Sequence, residues 1–154
     1  MFAKRVLPAL ILSLFWLSAC GPPRVFPRPS PTSDGAWSIR LTQTGGFAGA
    51  DLAMQVSSDG LMTAEDVRSS RTVSKLLSEE TMMELNQLIA ATTLSTSERP
   101  PSMCADCFIY EFEIASTTGV VRVHADDTNL GESGAQMLIQ FLGEIRDQAL
   151  RAAT

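Results

Sequence analysis

Three observations predict an α+β fold. Apolar residues alternate with polar ones in several short segments, two longer segments carry an apolar stripe at helical spacing, and glycine-bearing turns separate the alternating segments. The expected order is β-β-β-(β)-α-β-β-α: an antiparallel sheet of about five strands with two helices packed on one face. The other face should be the more polar one, and a single domain over residues 36–154 is expected, with no internal repeat.

The first strand begins at Trp37, where Trp37, Ile39 and Leu41 alternate with Ser38, Arg40 and Thr42. Leu52, Met54 and Val56 repeat the pattern. The intervening Thr44-Gly45-Gly46-Phe47-Ala48-Gly49 is too rich in glycine for regular strand and suits a bulge or an exposed loop. Asp59-Gly60 has hairpin turn chemistry, so Leu61 to Val67 is the returning strand. Thr72 to Leu76 is the short strand in parentheses.

Ser78 is placed to cap a helix running to about Ala91, with Leu77 and Met82 as a hydrophobic staple and Met82, Leu85, Leu88 and Ile89 on one face. Thr92 to Ser102 is polar, ends in Arg99-Pro100-Pro101 and reads as a long loop. Phe108, Tyr110, Phe112 and Ile114 then alternate, and Thr118-Gly119 turns the chain into Val120 to His124. Ser133-Gly134-Ala135-Gln136 fits a capping box for a last helix, whose stripe is Leu138, Phe141, Leu142, Ile145 and Ala149.

The N-terminal segment has a different character. Lys4 and Arg5 precede an apolar run from Val6 to Leu17 that is shorter than the ~20 residues needed to span a bilayer. Small Ala19 stands before Cys20, so residues 1–19 read as a secretory signal peptide. Leu17-Ser18-Ala19-Cys20 resembles a bacterial lipobox. That resemblance implies a diacylglyceryl thioether and an amide-linked acyl chain on Cys20, and hence a lipid anchor in the cell envelope. Gly21 in place of aspartate resembles outer-membrane sorting, with the domain facing the periplasm. Residues 20–35 combine the lipidated cysteine with a tether containing Pro22, Pro23, Pro27, Pro29 and Pro31. At ~3.1 Å per residue in polyproline II, this tether reaches roughly 45 Å.

Removal of residues 1–19 leaves 135 of the 154 residues. Lys4 and Arg5 depart with no acidic residue, so 12 basic side chains fall to 10 against 17 acidic ones, a formal charge of −7. Neither nucleic acid nor an anionic bilayer surface is favoured by that balance. The arginines are also scattered, with no run that would form a groove.

Catalytic patterns are poorly represented. A Ser-His-Asp set would have to use His124, and Gly131-Glu132-Ser133-Gly134 lacks the spacing of a nucleophile elbow. Ser133 is expected to cap a helix instead. His124, Asp126 and Asp127 carry the residue types for a cation, but such clusters are most often solvated turns. Glu79/Glu80 and Asp126/Asp127 also lie near expected helix starts, where the macrodipole favours carboxylates. The glycine-rich pentapeptide lacks the lysine and Ser/Thr of a phosphate-binding loop. The expectation is a chain without catalytic activity, metal or cofactor.

With Cys20 lipidated, Cys104 and Cys107 remain as a pair. In an oxidising compartment a local disulfide is expected, with free thiols as the alternative. A thioredoxin-like redox site is disfavoured because a strand follows the pair, and zinc because His124 is the only histidine. Phe47 has two orientations open to it. Composition favours the inward one, in which Phe47 plugs an edge of the core and the glycines only permit the bend. Held outward, it would be a binding anchor.

Gly45-Gly46-Phe47-Ala48-Gly49 after an amphipathic strand, followed by a helix and a hairpin, resembles the emfourin family of thermolysin-like metalloprotease inhibitors. Cys104-Ala105-Asp106-Cys107-Phe108-x-Tyr110 adds to that resemblance, which extends from about Ile39 to the last helix. It implies a cofactor-free α+β domain that blocks a protease cleft, with Phe47 or the loop from Ser95 to Asp106 entering the site. The lipid anchor, the proline tether and the cysteine pair depart from the family pattern. The expected partners are therefore the membrane, through Cys20, and either a metalloprotease or another envelope protein bound without inhibition; the oligomeric state is left open.

Overall fold

Ile39 and Leu41 are each 1% exposed, pointing to one side of β1 (Trp37–Gly45), while Arg40 on the other side is exposed. This alternation continues across a computed structural model in which residues 35–94 and 104–153 are described. Residues 1–34, which hold the expected signal peptide, Cys20 and nearly all of the expected tether, lie outside the described residues. So does most of the loop expected between Thr92 and Ser102.

β2 (Ala50–Ser57), β3 (Leu61–Asp66) and β4 (Arg71–Leu76) follow as antiparallel neighbours. After α1 (Glu79–Ala91), β5 (Phe108–Ser116) pairs with the free side of β1 and β6 (Gly119–Asp126) pairs with β5. The result is one six-stranded antiparallel sheet in the order β4-β3-β2-β1-β5-β6. A 3-10 turn over Leu130–Ser133 leads into α2 (Gln136–Ala152). The α+β class and element order agree with expectation, and the strand in parentheses completes a sheet of six.

Register explains why one face is buried. Leu41 stands opposite Met54 on one side and Phe112 on the other, Ile39 opposite Val56 and Ile114, and Phe112 opposite Val123. All seven project to the same face, because side chains on paired residues share a side of the pleat. Leu85 and Ile89 of α1 and Leu138 and Leu142 of α2 join them in one hydrophobic core. Both helices therefore cover that face. Fully burying a leucine or phenylalanine side chain stabilises by about 1.5–3 kcal/mol, so this shared face dominates the driving force for folding.

The opposite face is a polar lattice. Arg122 Nε donates to Glu113 Oε2 at 2.6 Å, Thr63 and Ser74 hydroxyls meet at 3.1 Å, and His124 Nδ1 lies 3.9 Å from Glu111. Exposed ion pairs of this kind contribute little to stability, but they keep this face hydrated.

Local chemistry fixes the boundaries. Gly60 turns β2 into β3 at φ 86°, and the Asp59 carboxylate accepts from Ser57 Oγ at 2.5 Å and Leu61 N–H at 3.1 Å. Those bonds hold the Asp59 carboxyl below its ordinary range, the Ser57 hydroxyl having the largest effect. Ser78 caps α1 by accepting from the Thr81 N–H at 3.2 Å, with Glu79 and Glu80 in the first turn. Leu77 and Met82 both pack against the core, as a staple requires.

The expected capping box at the second helix is not formed. Ala135 is the residue before α2 and makes no side-chain cap, while Ser133 closes the preceding 3-10 turn. Its hydroxyl donates to Leu130 O at 2.6 Å and accepts from Ala135 N–H at 3.0 Å. A serine oxygen two residues before an amide competes well with capping geometry. Asp126 and Asp127 likewise do not sit at a helix start. Asp126 Oδ1 accepts from the Thr128 amide at 2.8 Å, which organises the turn after β6. Among the described residues no helix is long and apolar enough to cross a membrane.

Candidate functional site

Four residues, 46–49, form the turn between β1 and β2, and glycine dictates their path. Gly45, Gly46 and Gly49 have φ values of 88°, 71° and 64°, a region that side chains with a Cβ enter only with strain. Gly49 N–H closes the turn on Gly46 O at 2.9 Å. Two of these glycines also answer to a neighbour. A Cβ on Gly45 would stand 2.7 Å from the Cys107 carbonyl oxygen, and one on Gly46 would enter the Phe108 ring.

Phe47 is 95% exposed. The inward orientation favoured by composition is thus overturned. Backbone contact accounts for it: Gly46 N–H donates to Cys107 O at 3.0 Å, so the turn closes against the start of β5 and the Phe108 ring fills the space beside Gly46. The glycine-rich segment is an exposed loop and not a bulge, and β1 stays paired through Gly45 to Ala50 and Phe108.

The tip is braced from two sides. Arg68 Nη1, from the turn after β3, donates to Ala48 O and to Gly49 O, the latter at 2.9 Å. On the other flank, the Sγ atoms of Cys104 and Cys107 lie at disulfide-bonding distance with their Cα atoms 5.5 Å apart. Of the loop expected from Ser95 to Asp106, residues 95–103 lie outside the described residues, and Cys104 to Asp106 are exposed beside the tip. Phe47, the half-exposed Val67 and the cysteine pair share one end of the sheet.

A second feature at this end was not anticipated. Asp127 accepts from Phe108 N–H at 2.8 Å and from the Tyr110 hydroxyl at 3.0 Å, tying the turn after β6 to the start of β5. Burial, then the Asp127 hydrogen bond and charge, push the Tyr110 phenol up to about 12. Behind this pair a cleft of about 820 Å³ opens between α2 and the turn after β6, with Gln43, Tyr110 and Arg146 among its lining residues. Arg146 is only 2% exposed. Its Nη2 donates to Gln43 Oε1 at 2.8 Å and its Nε to Asp147 Oδ1 at 2.8 Å, while buried Nη1 has no hydrogen-bond partner among the described residues. Leaving one such donor unmade costs about 1–3 kcal/mol.

A sequence signal for Arg146 exists. Ile139, Leu142, Arg146 and Ala149 step by three and four residues, so the arginine occupies a core position of the helical stripe. No local pattern marks Gln43, its partner 103 residues away.

The residues considered for a cation do not converge. His124 faces Glu111, Asp126 is engaged in its own turn and Asp127 is held by Tyr110. Among the described residues no group of three or more histidine, cysteine, aspartate or glutamate side chains is placed to hold a metal ion. Ser133 is buried and bonded to backbone, apart from His124 on the open face of the sheet. Compared with known proteins, the chain matches no protein-family model and no curated sequence.

Proposed function

We propose that this chain is a lipid-anchored envelope protein that inhibits a metalloprotease of the thermolysin-like kind, inserting the Phe47 tip into the enzyme's cleft. The observation that carries this reading is the presentation of Phe47, 95% exposed on a turn braced by Arg68 and by the backbone of Cys107. A large aromatic held in one place loses little freedom on binding, and such side chains dominate interface energies. The resemblance of Gly45-Gly46-Phe47-Ala48-Gly49 to emfourin-type inhibitors supplies the enzyme class. Phe47 would fill an apolar substrate subsite, and the neighbouring carbonyls would lie near the zinc.

The anchor and tether fit that role. Cys20 would hold the chain to the membrane, and the proline-rich segment ends beside Trp37, at the opposite end of β1 from Phe47. The tip therefore points away from the point where the tether enters.

The test is residual peptidase activity of a thermolysin-like enzyme mixed with the chain carrying Cys20→Ser. Stoichiometric loss of activity that is relieved by Phe47→Ala supports the reading. Full activity at large excess of the chain overturns inhibition. Recovery of a stable non-protease partner from solubilised envelopes would then favour an envelope-binding role through the open face or edge of the sheet.

A further inference from the structure

We propose that Cys104 and Cys107 form a redox modification site: a disulfide that a dithiol opens in the folded protein, with loosening of the Phe47 turn as the consequence. Two motifs far apart in the chain meet there. Gly46 N–H donates to the Cys107 carbonyl at 3.0 Å, and a Cβ on Gly45 would stand 2.7 Å from that same oxygen. The contact lies one residue beyond Gly45 and Phe108, the last pair of the β1–β5 ladder at this end. Phe108 is held a second time by Asp127 Oδ2, which accepts its N–H at 2.8 Å. Cys107 therefore has a fixed neighbour on its C-terminal side, while on its N-terminal side the bond to Cys104 closes the turn.

Accessibility makes this bond reducible. Cys104, Ala105 and Asp106 are exposed, Cys107 is half-buried, and neither cysteine belongs to the hydrophobic core. A ring of only four residues gains little chain entropy from closure, and exposed disulfides are the ones open to exchange. A thiolate of the dithiol attacks the more exposed Sγ of Cys104, the S–S bond breaks, and its electron pair leaves on Cys107 Sγ. The second thiolate then attacks the reductant's own sulfur in the mixed disulfide and expels Cys104 Sγ. Both cysteines take up the protons that the dithiol gives up, so the site gains two electrons and the dithiol becomes a disulfide.

Reduction leaves the Cys107 carbonyl in place but removes the covalent closure that keeps it there. Chain entropy makes a four-residue ring worth at most roughly twentyfold in the opening equilibrium of its turn. The effect is directional. Gly49 N–H bonds to Gly46 O within the glycine turn, and Arg68 Nη1 donates to Gly49 O from the β3 side, so the far half of that turn keeps its brace. Gly46, at the base, loses the support behind its partner. Phe47 follows directly, so a loosened base raises the ordering cost of binding through its ring. That last step rests on the function proposed above; the redox site itself does not.

The test is amide hydrogen exchange of the isotopically labelled full chain carrying Cys20→Ser, which leaves two cysteines, before and after dithiothreitol without denaturant and with thiols titrated alongside. No thiol is expected before treatment and two after it. Exchange at Gly46 should become at least about threefold faster, with a smaller change at Gly49 and at Met82, whose N–H bonds to Ser78 O in α1. The double variant Cys104→Ser, Cys107→Ser should show the fast Gly46 exchange from the start and no response to dithiothreitol. Two thiols before treatment, a disulfide that resists dithiothreitol until the protein unfolds, a smaller change at Gly46, or Gly49 or Met82 accelerated as much as Gly46 would each overturn the proposal. No protease is present in this measurement, so its failure and the failure of the inhibitor reading are separate events.

Discussion

The Tyr110 hydroxyl donates to Asp127 Oδ1 at 3.0 Å, joining the start of β5 to the residue that follows β6. Because Tyr110 is the only tyrosine in the chain, its ionisation is readable directly by ultraviolet absorbance. The expected midpoint is about 12, against about 10 in denaturant. The folded state holds the proton more tightly, so stability is unaffected below pH 10 and falls as pH rises from about 10 to 12. Asp127→Asn should lower the midpoint without returning it to 10, since burial, the larger cause, remains. An unchanged midpoint in that variant would remove Asp127 from the explanation.

Phe47→Ala should leave unfolding within about 0.5 kcal/mol of the parent chain, because the ring touches almost nothing it stabilises. Partner binding should fall by about 2 kcal/mol or more, roughly thirtyfold. Denaturant unfolding and an inhibition titration on the same protein check the two halves. A large loss of stability would show that the ring is not free.

Arg68→Ala tests the brace. Loss of the guanidinium contacts to Ala48 O and Gly49 O should speed hydrogen exchange at the tip amides while global stability changes by about 1 kcal/mol or less. Exchange rates at Gly46 and Gly49 identical to the parent would mean that the glycine turn holds itself.

Gly134→Ala addresses a contact far from the tip. Gly134 has φ 74°, and a Cβ there would collide with the Thr93 carbonyl oxygen. Positive φ alone costs a non-glycine residue about 1–2 kcal/mol, and the collision adds to it, so the expected loss is about 2–3 kcal/mol. Emission of Trp37, 5% exposed in the core, would follow the urea transition in a chain lacking residues 1–19.

Legibility in the sequence tracks the range of the interaction. Ile39, Leu41, Phe112 and Ile114 declare their face through alternation, which is a property of each strand taken alone. β4 is faint for the same reason: at the sheet edge its Val73 is only partly buried, and pairing with β3 supplies what periodicity lacks. Phe47 could not be oriented from composition, because the deciding contact is Gly46 with Cys107, sixty-one residues along the chain. Asp127 and Arg146 fall in the same class. The first looks like a turn residue and the second like a surface charge on a helix, until Tyr110 and Gln43 are brought to them by the sheet. Ser133 shows the opposite error, since a familiar local pattern was realised by a different local bond.

β1 has a mechanical consequence. Its nine residues run from the tether side to the Phe47 turn with a rise of ~3.4 Å each, so about 30 Å of backbone is already close to the ~3.6 Å per residue limit of a stretched chain. Under the function proposed above, tension between a membrane and a captured partner would pass along the covalent bonds of this one strand. Neither helix lies in that path. Pulling would straighten β1 very little and would not have to separate it from β2 or β5, so the domain can be held taut without being opened.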